Sequence, residues 1–216
     1  MELLSSVQKE IEHLTVRCWT TTVAFIFNVI SSVSSDACEL TMDLNTAHSY
    51  LSFSEDKKKM TRMETAQPYP DSPERFPEWG QVLCKEGLSG RCYWEVEWTG
   101  ERTGIGVAYQ GISRKAEGNE CVLGYNDKSW SLRYCNGKYT AWYNRNDAVI
   151  SVPYFNSKRV GVFLDWSAGT LSFYTVSSNT ITHLHTFHTK FSEPLYPGFR
   201  LGAADSSLFL CQPEYP

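Results

Sequence analysis

Residues 91 to 98 read RCYWEVEW and set two carboxylates, Glu95 and Glu97, two positions apart. In an extended strand that spacing separates the side chains by roughly 7 Å, within the gap an inverting glycosidase leaves between its acid and its base. The same stretch reads equally as one strand of an amphipathic sheet. Alternation sends Cys92, Trp94, Val96 and Trp98 to one face and Tyr93, Glu95 and Glu97 to the other. With the tryptophans in a core, the glutamates face water or pair with a cation on a neighbouring strand. A sugar site also needs stacking rings beside its carboxylates, and only Tyr93 shares their face. The strand reading is preferred, and a sandwich-fold glycoside hydrolase or lectin using Glu95 and Glu97 is the alternative.

Other reactive residue types are present without the company that chemistry requires. His183 and His185 stand at i and i+2, with His188 nearer a turn, but no acidic residue follows until Glu193. A metal would need a third ligand and a carboxylate behind it, so no metal is expected. Gly104 and Gly106 lie in a strand context, which fails the strand-to-helix requirement for cradling phosphate. No nucleophile elbow or Walker loop occurs, and no cofactor is expected. The seven cysteines (18, 38, 84, 92, 121, 135 and 211) form an odd set without a C-x-x-C pair. Free thiols in a reducing compartment are the default, with Cys92 and Cys211 read as buried and inert. The absence of an N-x-S/T sequon agrees with a cytoplasmic protein.

The elements that must position these residues are short. From about residue 38, brief apolar runs alternate with turn signals and little helical periodicity appears. CELTMD (38 to 43) is a candidate first strand, and Asn45 a candidate cap for the turn that follows. Residues 54 to 63 form a charged loop leading into a short strand, and the four prolines of 66 to 80 make an irregular crossing. Ile105 to Tyr109 is a strand bracketed by glycines. Asn136-Gly137 between two β-prone runs predicts a hairpin. Residues 159 to 176 predict a second, bending at Asp165 to Gly169. A further pairing through HLHTFH and a closing strand SSLFLC (206 to 211) complete a two-layer antiparallel sandwich.

Composition narrows the partners. Twenty Lys and Arg against 24 Asp and Glu leave a net charge of −4, so no overall basic field exists to hold nucleic acid. Aromatics at 14% of the chain suit a β-rich core. The uncharged run 18 to 35 is diluted by Thr, Ser and Asn and barely reaches the length of a membrane span, so a membrane anchor is not expected. Glu2, Glu10 and Glu12 stand where a signal peptide would be basic. Leu4, Val7, Ile11 and Leu14 keep a coiled-coil spacing that could continue a longer oligomerising helix upstream.

Residues LTMDLNTAHSYLSFSED (40 to 56) resemble a PRY segment. RCYWEVEW, RVGVFLDWSAGTLSFY and PLYPGF, in that order, resemble the SPRY segment that follows it. The chain is thereby identified as similar to the PRY-SPRY domains of tripartite-motif proteins, butyrophilins and fish immune-receptor or stonustoxin-like proteins. It departs from the usual pattern at Leu44, at Cys92 and at Ser167 after Trp166. The resemblance implies an all-β fold, a bent antiparallel β-sandwich of concanavalin-like type. PRY would occupy residues 36 to 88 and SPRY 89 to 216, after a helical or irregular extension over 1 to 35.

The resemblance also implies a non-catalytic module that recognises a protein through loops at one end of the sandwich. Carried over by local match, the partner-binding residues are Lys57, Lys58, Gln110, Arg133, Cys135, Arg200 and Leu201. Where some relatives place tryptophans on the hairpin, this chain has Arg133 and Cys135, which favours an acidic or polar ligand. Trp94, Trp130, Leu164, Phe173 and Tyr174 read as core. The sequence contains no RING cluster of cysteines and histidines, so in an innate-immune or ubiquitin-ligase setting it would supply target choice alone.

Overall fold

The alternating runs of the sequence form thirteen strands among the residues described by the computed structural model: 36–115, 118–151, 157–177 and 180–211. Seven strands make one sheet: β1 (Leu51–Phe53), β2 (Lys59–Arg62), β4 (Arg91–Thr99), β9 (Arg159–Asp165), β10 (Thr170–Ser177), β11 (Thr180–His188) and β13 (Ser207–Cys211). Six make the other: β3 (Gln81–Leu83), β5 (Arg102–Tyr109), β6 (Ser129–Cys135), β7 (Lys138–Tyr143), β8 (Asn146–Ile150) and β12 (Leu195–Leu201). Their orders are β1-β2-β13-β4-β9-β10-β11 and β3-β12-β5-β6-β7-β8, and the pairs are antiparallel. The extension over residues 1–35, with its coiled-coil spacing and apolar run, lies outside the described residues. Among the described residues no helix is long and apolar enough to cross a membrane.

Local chemistry explains the turns. Asn136 and Gly137 take φ of 49° and 77°, the left-handed pair that a two-residue hairpin needs, and Cys135 faces Lys138 across it. The second hairpin closes with Gly169 at φ 69° and pairs Asp165 with Thr170. The inner faces then meet. Trp94, Val96 and Trp98 of β4 and Val160, Val162 and Leu164 of β9 pack in one cluster with Ile105, Val107, Trp130, Leu132 and Phe199 of the other sheet. Trp94, Trp130, Leu164, Phe173 and Tyr174 are all buried, as expected of core residues.

Two local expectations change. CELTMD is no strand, contributing only a bridge between Met42 and Cys84. Its backbone is divided between both sheets: Met42 N donates to Lys57 O, and Asp43 N to Leu83 O. A segment that spans two sheet edges cannot ladder along one. The turn after it is held by Asp43 rather than Asn45, since Asp43 Oδ1 accepts from Asn45 N at 3.0 Å.

Cys92 is not a free thiol. It is joined to Cys38 across 54 residues of sequence, tying the segment before β1 to the middle of the seven-stranded sheet. This bond departs from the expectation that all the cysteines are free thiols. Closing such a loop raises stability by roughly 4 kcal/mol in the chain-entropy model. Alkylation of the folded chain without reductant should therefore leave Cys38 and Cys92 unlabelled. The Cys38→Ser, Cys92→Ser variant should lose about that stability in denaturant unfolding; equal midpoints with and without reductant would contradict the bond.

His48 is buried where the PRY turn meets β3. Its Nδ1 accepts from Tyr50 N at 3.0 Å, and its backbone N–H donates to Gln81 O. Burial, helped by nearby Arg62 and Arg75, holds its pKa down at about 4 against an ordinary 6.5. Between those values the unfolded chain binds a proton that the folded chain refuses, so folding weakens as pH falls from 6.5 toward 4. Thermal unfolding followed over that range should show this slope, and His48→Gln should flatten it.

Candidate recognition surface

The six-stranded sheet turns an outer face away from the core, and one row of cross-strand neighbours runs along it. Gln81 faces Arg200, Arg200 faces Gly104, Gly104 faces Arg133, Arg133 faces Thr140 and Thr140 faces Val149. Directly paired residues share a face, so Arg133 and Arg200 flank Gly104 on the same side. Both are half-buried by rings. The Arg200 guanidinium lies 4.9 Å from the centre of Trp79. That of Arg133 lies 4.1 Å from Tyr125 and 4.8 Å from Trp142, whose own rings stack at 4.5 Å. Such contacts fix a long side chain that would otherwise sample many rotamers.

The segment between β5 and β6 makes these supports possible by folding back onto the outer face. Leu83, Ala108, Ile112, Cys121 and Leu123 bury one another around Phe76. Gln81, fully buried, donates to Cys121 O, while Leu123 N donates to its Oε1 at 3.3 Å. Leu123 O in turn accepts from Arg133 Nη2 at 3.0 Å. Gly124 is required at the closest approach: φ is +86°, and a Cβ there would meet Trp142 Cβ at 2.8 Å.

The charge is unusual for a chain of net −4. Arg62 and Arg102 lie within electrostatic reach of the Arg133 and Arg200 pair. Burial, followed by the charge of Arg133, pulls the pKa of Arg200 down to about 10. Burial lowers that of Arg133 as well. The Nε of each is buried without an acceptor among the described residues.

The expected binding residues divide accordingly. Arg133 and Arg200 come together across Gly104. Cys135 is exposed at the end of β6 on the same face, opposite Arg102. Gln110 follows the other end of β5, six residues from Gly104 and about 20 Å away at the rise of a strand. Lys57 and Lys58 belong to the β1–β2 turn of the other sheet. Lys58 Nζ is committed to Glu39 Oε2 at 2.7 Å and Leu40 O at 2.8 Å, which makes it a brace. Leu201 is fully buried, because alternation from Arg200 turns it into the core. It is withdrawn as a contact residue. The seven positions thus do not form one cluster at one end. Trp79, Tyr125, Trp142, Arg62 and Arg102 were not anticipated; only Trp142 carried a readable signal, its alternation with core residue Ala141.

The histidines of β11 do not converge. A register shift sets His183 opposite Tyr174 and His185 opposite Phe173. His183 Nε2 bonds Thr186 Oγ1 at 2.8 Å, and His185 packs on Phe187. Among the described residues no group of three His, Cys, Asp or Glu side chains is placed to hold a metal.

Comparison with known proteins agrees with this architecture. Residues 40–88 match the family model described as PRY, the SPRY-associated domain, and residues 91–212 match the SPRY domain model. Neoverrucotoxin subunit beta of Synanceia verrucosa is 47% identical over 79% of the chain, which spans 24% of that subunit. Tripartite motif-containing protein 16 of Mus musculus is 38% identical over 83% of the chain, which spans 33% of it. The chain therefore corresponds to a third or less of either relative. Among solved structures, that of stonustoxin aligns with a TM-score of 0.74 at 45% identity, covering 82% of this chain and 27% of its own. The crystal structure of the TRIM65 PSpry domain aligns with a TM-score of 0.76 at 27% identity, covering 85% of this chain and 94% of its own.

The paired glutamates that suggested hydrolysis are differently occupied. Glu95 is buried on β4, its Oε1 accepting from Tyr93 OH at 2.7 Å and its Oε2 from Arg159 Nε at 2.6 Å. Glu97 is exposed. A carboxylate with both oxygens engaged by an arginine and a phenol is placed to hold β4 to β9, not to donate or abstract a proton from a sugar. Burial, and then Glu95, push the Tyr93 hydroxyl well above the usual phenol range, so it stays a donor. Glu95→Gln should destabilise the fold by about 2 kcal/mol, since Arg159 loses its charged acceptor. Urea denaturation measures it; an unchanged midpoint together with a lost glycan-hydrolysing activity would restore the enzyme reading.

Proposed function

The chain belongs to the PRY-SPRY family, and on that premise we propose that it is a non-catalytic recognition module binding a protein on the outer face of the six-stranded sheet. The observation that carries this is the pair Arg133 and Arg200, fixed face-on against Trp79, Tyr125 and Trp142 and flanking a glycine. Arginine and large aromatics are the residues that dominate protein interfaces, and immobilising them beforehand lowers the entropy cost of binding. The rim at the Asn136-Gly137 hairpin, with Cys135 and Arg102, extends the same face, whereas Gln110 lies at the far end. Lys57 and Lys58 hold the PRY segment in place.

The family setting supports a role in choosing targets, as the recognition part of an innate-immune or ubiquitin-ligase-type protein. The similarity to toxin subunits supports a second setting, in which the same face would join subunits of a larger assembly.

Site-specific photo-cross-linking in cells tests the surface. A photoreactive phenylalanine at Thr140, beside Arg133, should yield protein adducts. The same group at Thr182, on the other sheet, should not, and Trp79→Ala with Trp142→Ala should abolish the Thr140 adducts. Equal adducts from both positions would remove the proposed face from consideration.

A further inference from the structure

Arg102, Arg133 and Arg200 belong to three strands of this sheet and Arg62 reaches the backbone of β12 from the other sheet, yet among the described residues none of the four has a carboxylate. The ion pairs between described residues engage Lys58, Arg91, Arg114, Arg145, Lys158 and Arg159. Arg62 gives its Nη1 to Leu201 O at 3.2 Å, and Arg133 gives its Nη2 to Leu123 O; both acceptors are neutral carbonyls. Arg200 donates no hydrogen bond within the described chain, its contact being the face of Trp79.

Like charges held this close repel, and partial burial raises the cost of keeping them ionised. A chain with 24 acidic residues could have placed one here and has not. Gly104 itself is buried between the two arginines, and a Cβ there would approach Arg200 Cβ to 3.3 Å. Any side chain at 104 would press on Arg200 and disturb the packing of the pair.

Resting on the recognition reading above, we infer that this face takes a carboxylate, supplied by an Asp or Glu side chain of the partner and bound by the part-exposed guanidiniums of Arg133 and Arg200. The rings clamp the guanidinium faces, Nε is buried in each and Arg133 Nη2 is taken by Leu123 O, so the donors left for a carboxylate are Nη1 of Arg133 and the two Nη groups of Arg200. Arg62 and Arg102 add attraction at longer range, which favours a segment with more than one acidic residue. A neutral segment would bury these charges without compensation.

The test uses the full chain with labelled arginine, following the guanidinium NMR signals of Arg133 and Arg200 during titration with glutarate, glutaramide and inorganic phosphate. Glutarate should shift both signals saturably and glutaramide should not. Its affinity should drop by about tenfold as salt rises from about 50 mM to about 500 mM. Arg133→Gln with Arg200→Gln should abolish binding. Because those changes touch packing, Thr140→Glu provides a second variant: it leaves both arginines intact, places a competing carboxylate beside Arg133, and should weaken glutarate at least fivefold with an undiminished melting temperature. Equal shifts with glutaramide, a tenfold preference for phosphate, or indifference to Thr140→Glu would each overturn the carboxylate assignment. Thr140 adducts that persist in the double Gln variant would also end it while leaving protein recognition intact. Absence of face-specific adducts would end the recognition reading even if glutarate bound.

Discussion

Burial of the tryptophan-bearing side of β4 against the inner face of the six-stranded sheet is the interaction on which the rest of the molecule depends. Trp94 and Trp98 fill the space between the sheets, and their placement decides where every other side chain of β4 goes. It turns Tyr93 and Glu95 outward to brace β9, and the Cys92 side inward to Cys38. Since both inner faces are consumed by this burial, whatever binds a partner must lie on an outer face or at a rim.

The two outer faces are used differently. On the seven-stranded sheet Tyr93, Glu95 and Arg159 satisfy one another. On the six-stranded sheet the fold-back between β5 and β6 brings carbonyls and rings to the arginines but no negative charge. The charged groups are paired in the first cluster and lack a counter-charge in the second among the described residues. That asymmetry favours the proposed recognition role, and the carboxylate that might have served catalysis is already engaged by Tyr93 and Arg159.

Much of the fold was legible in the sequence because its determinants are local. Asn136-Gly137 specifies its hairpin by backbone conformation alone, and the alternation of β4 separates core from surface. The failures are of two physical kinds. Leu201 was misplaced because a motif match marks a segment, whereas burial is set by which way one residue points. The Cys38 to Cys92 bond and the gathering of Arg62, Arg102, Arg133 and Arg200 depend on sheet order and register, which no local pattern encodes. Trp79 and Tyr125 lie in irregular segments without periodicity, so nothing in the sequence assigned them to the arginines they support.

The central claim is that Arg133 and Arg200 together bind an anion on the outer face of the six-stranded sheet. A crystal of the full chain soaked in bromide tests it most directly, because anomalous scattering locates the ion without any knowledge of the natural partner. A peak beside the guanidiniums of Arg133 and Arg200 is expected. Bromide at other arginines with none at this position, or a carboxylate of the same chain found bonded to Arg200, would contradict it.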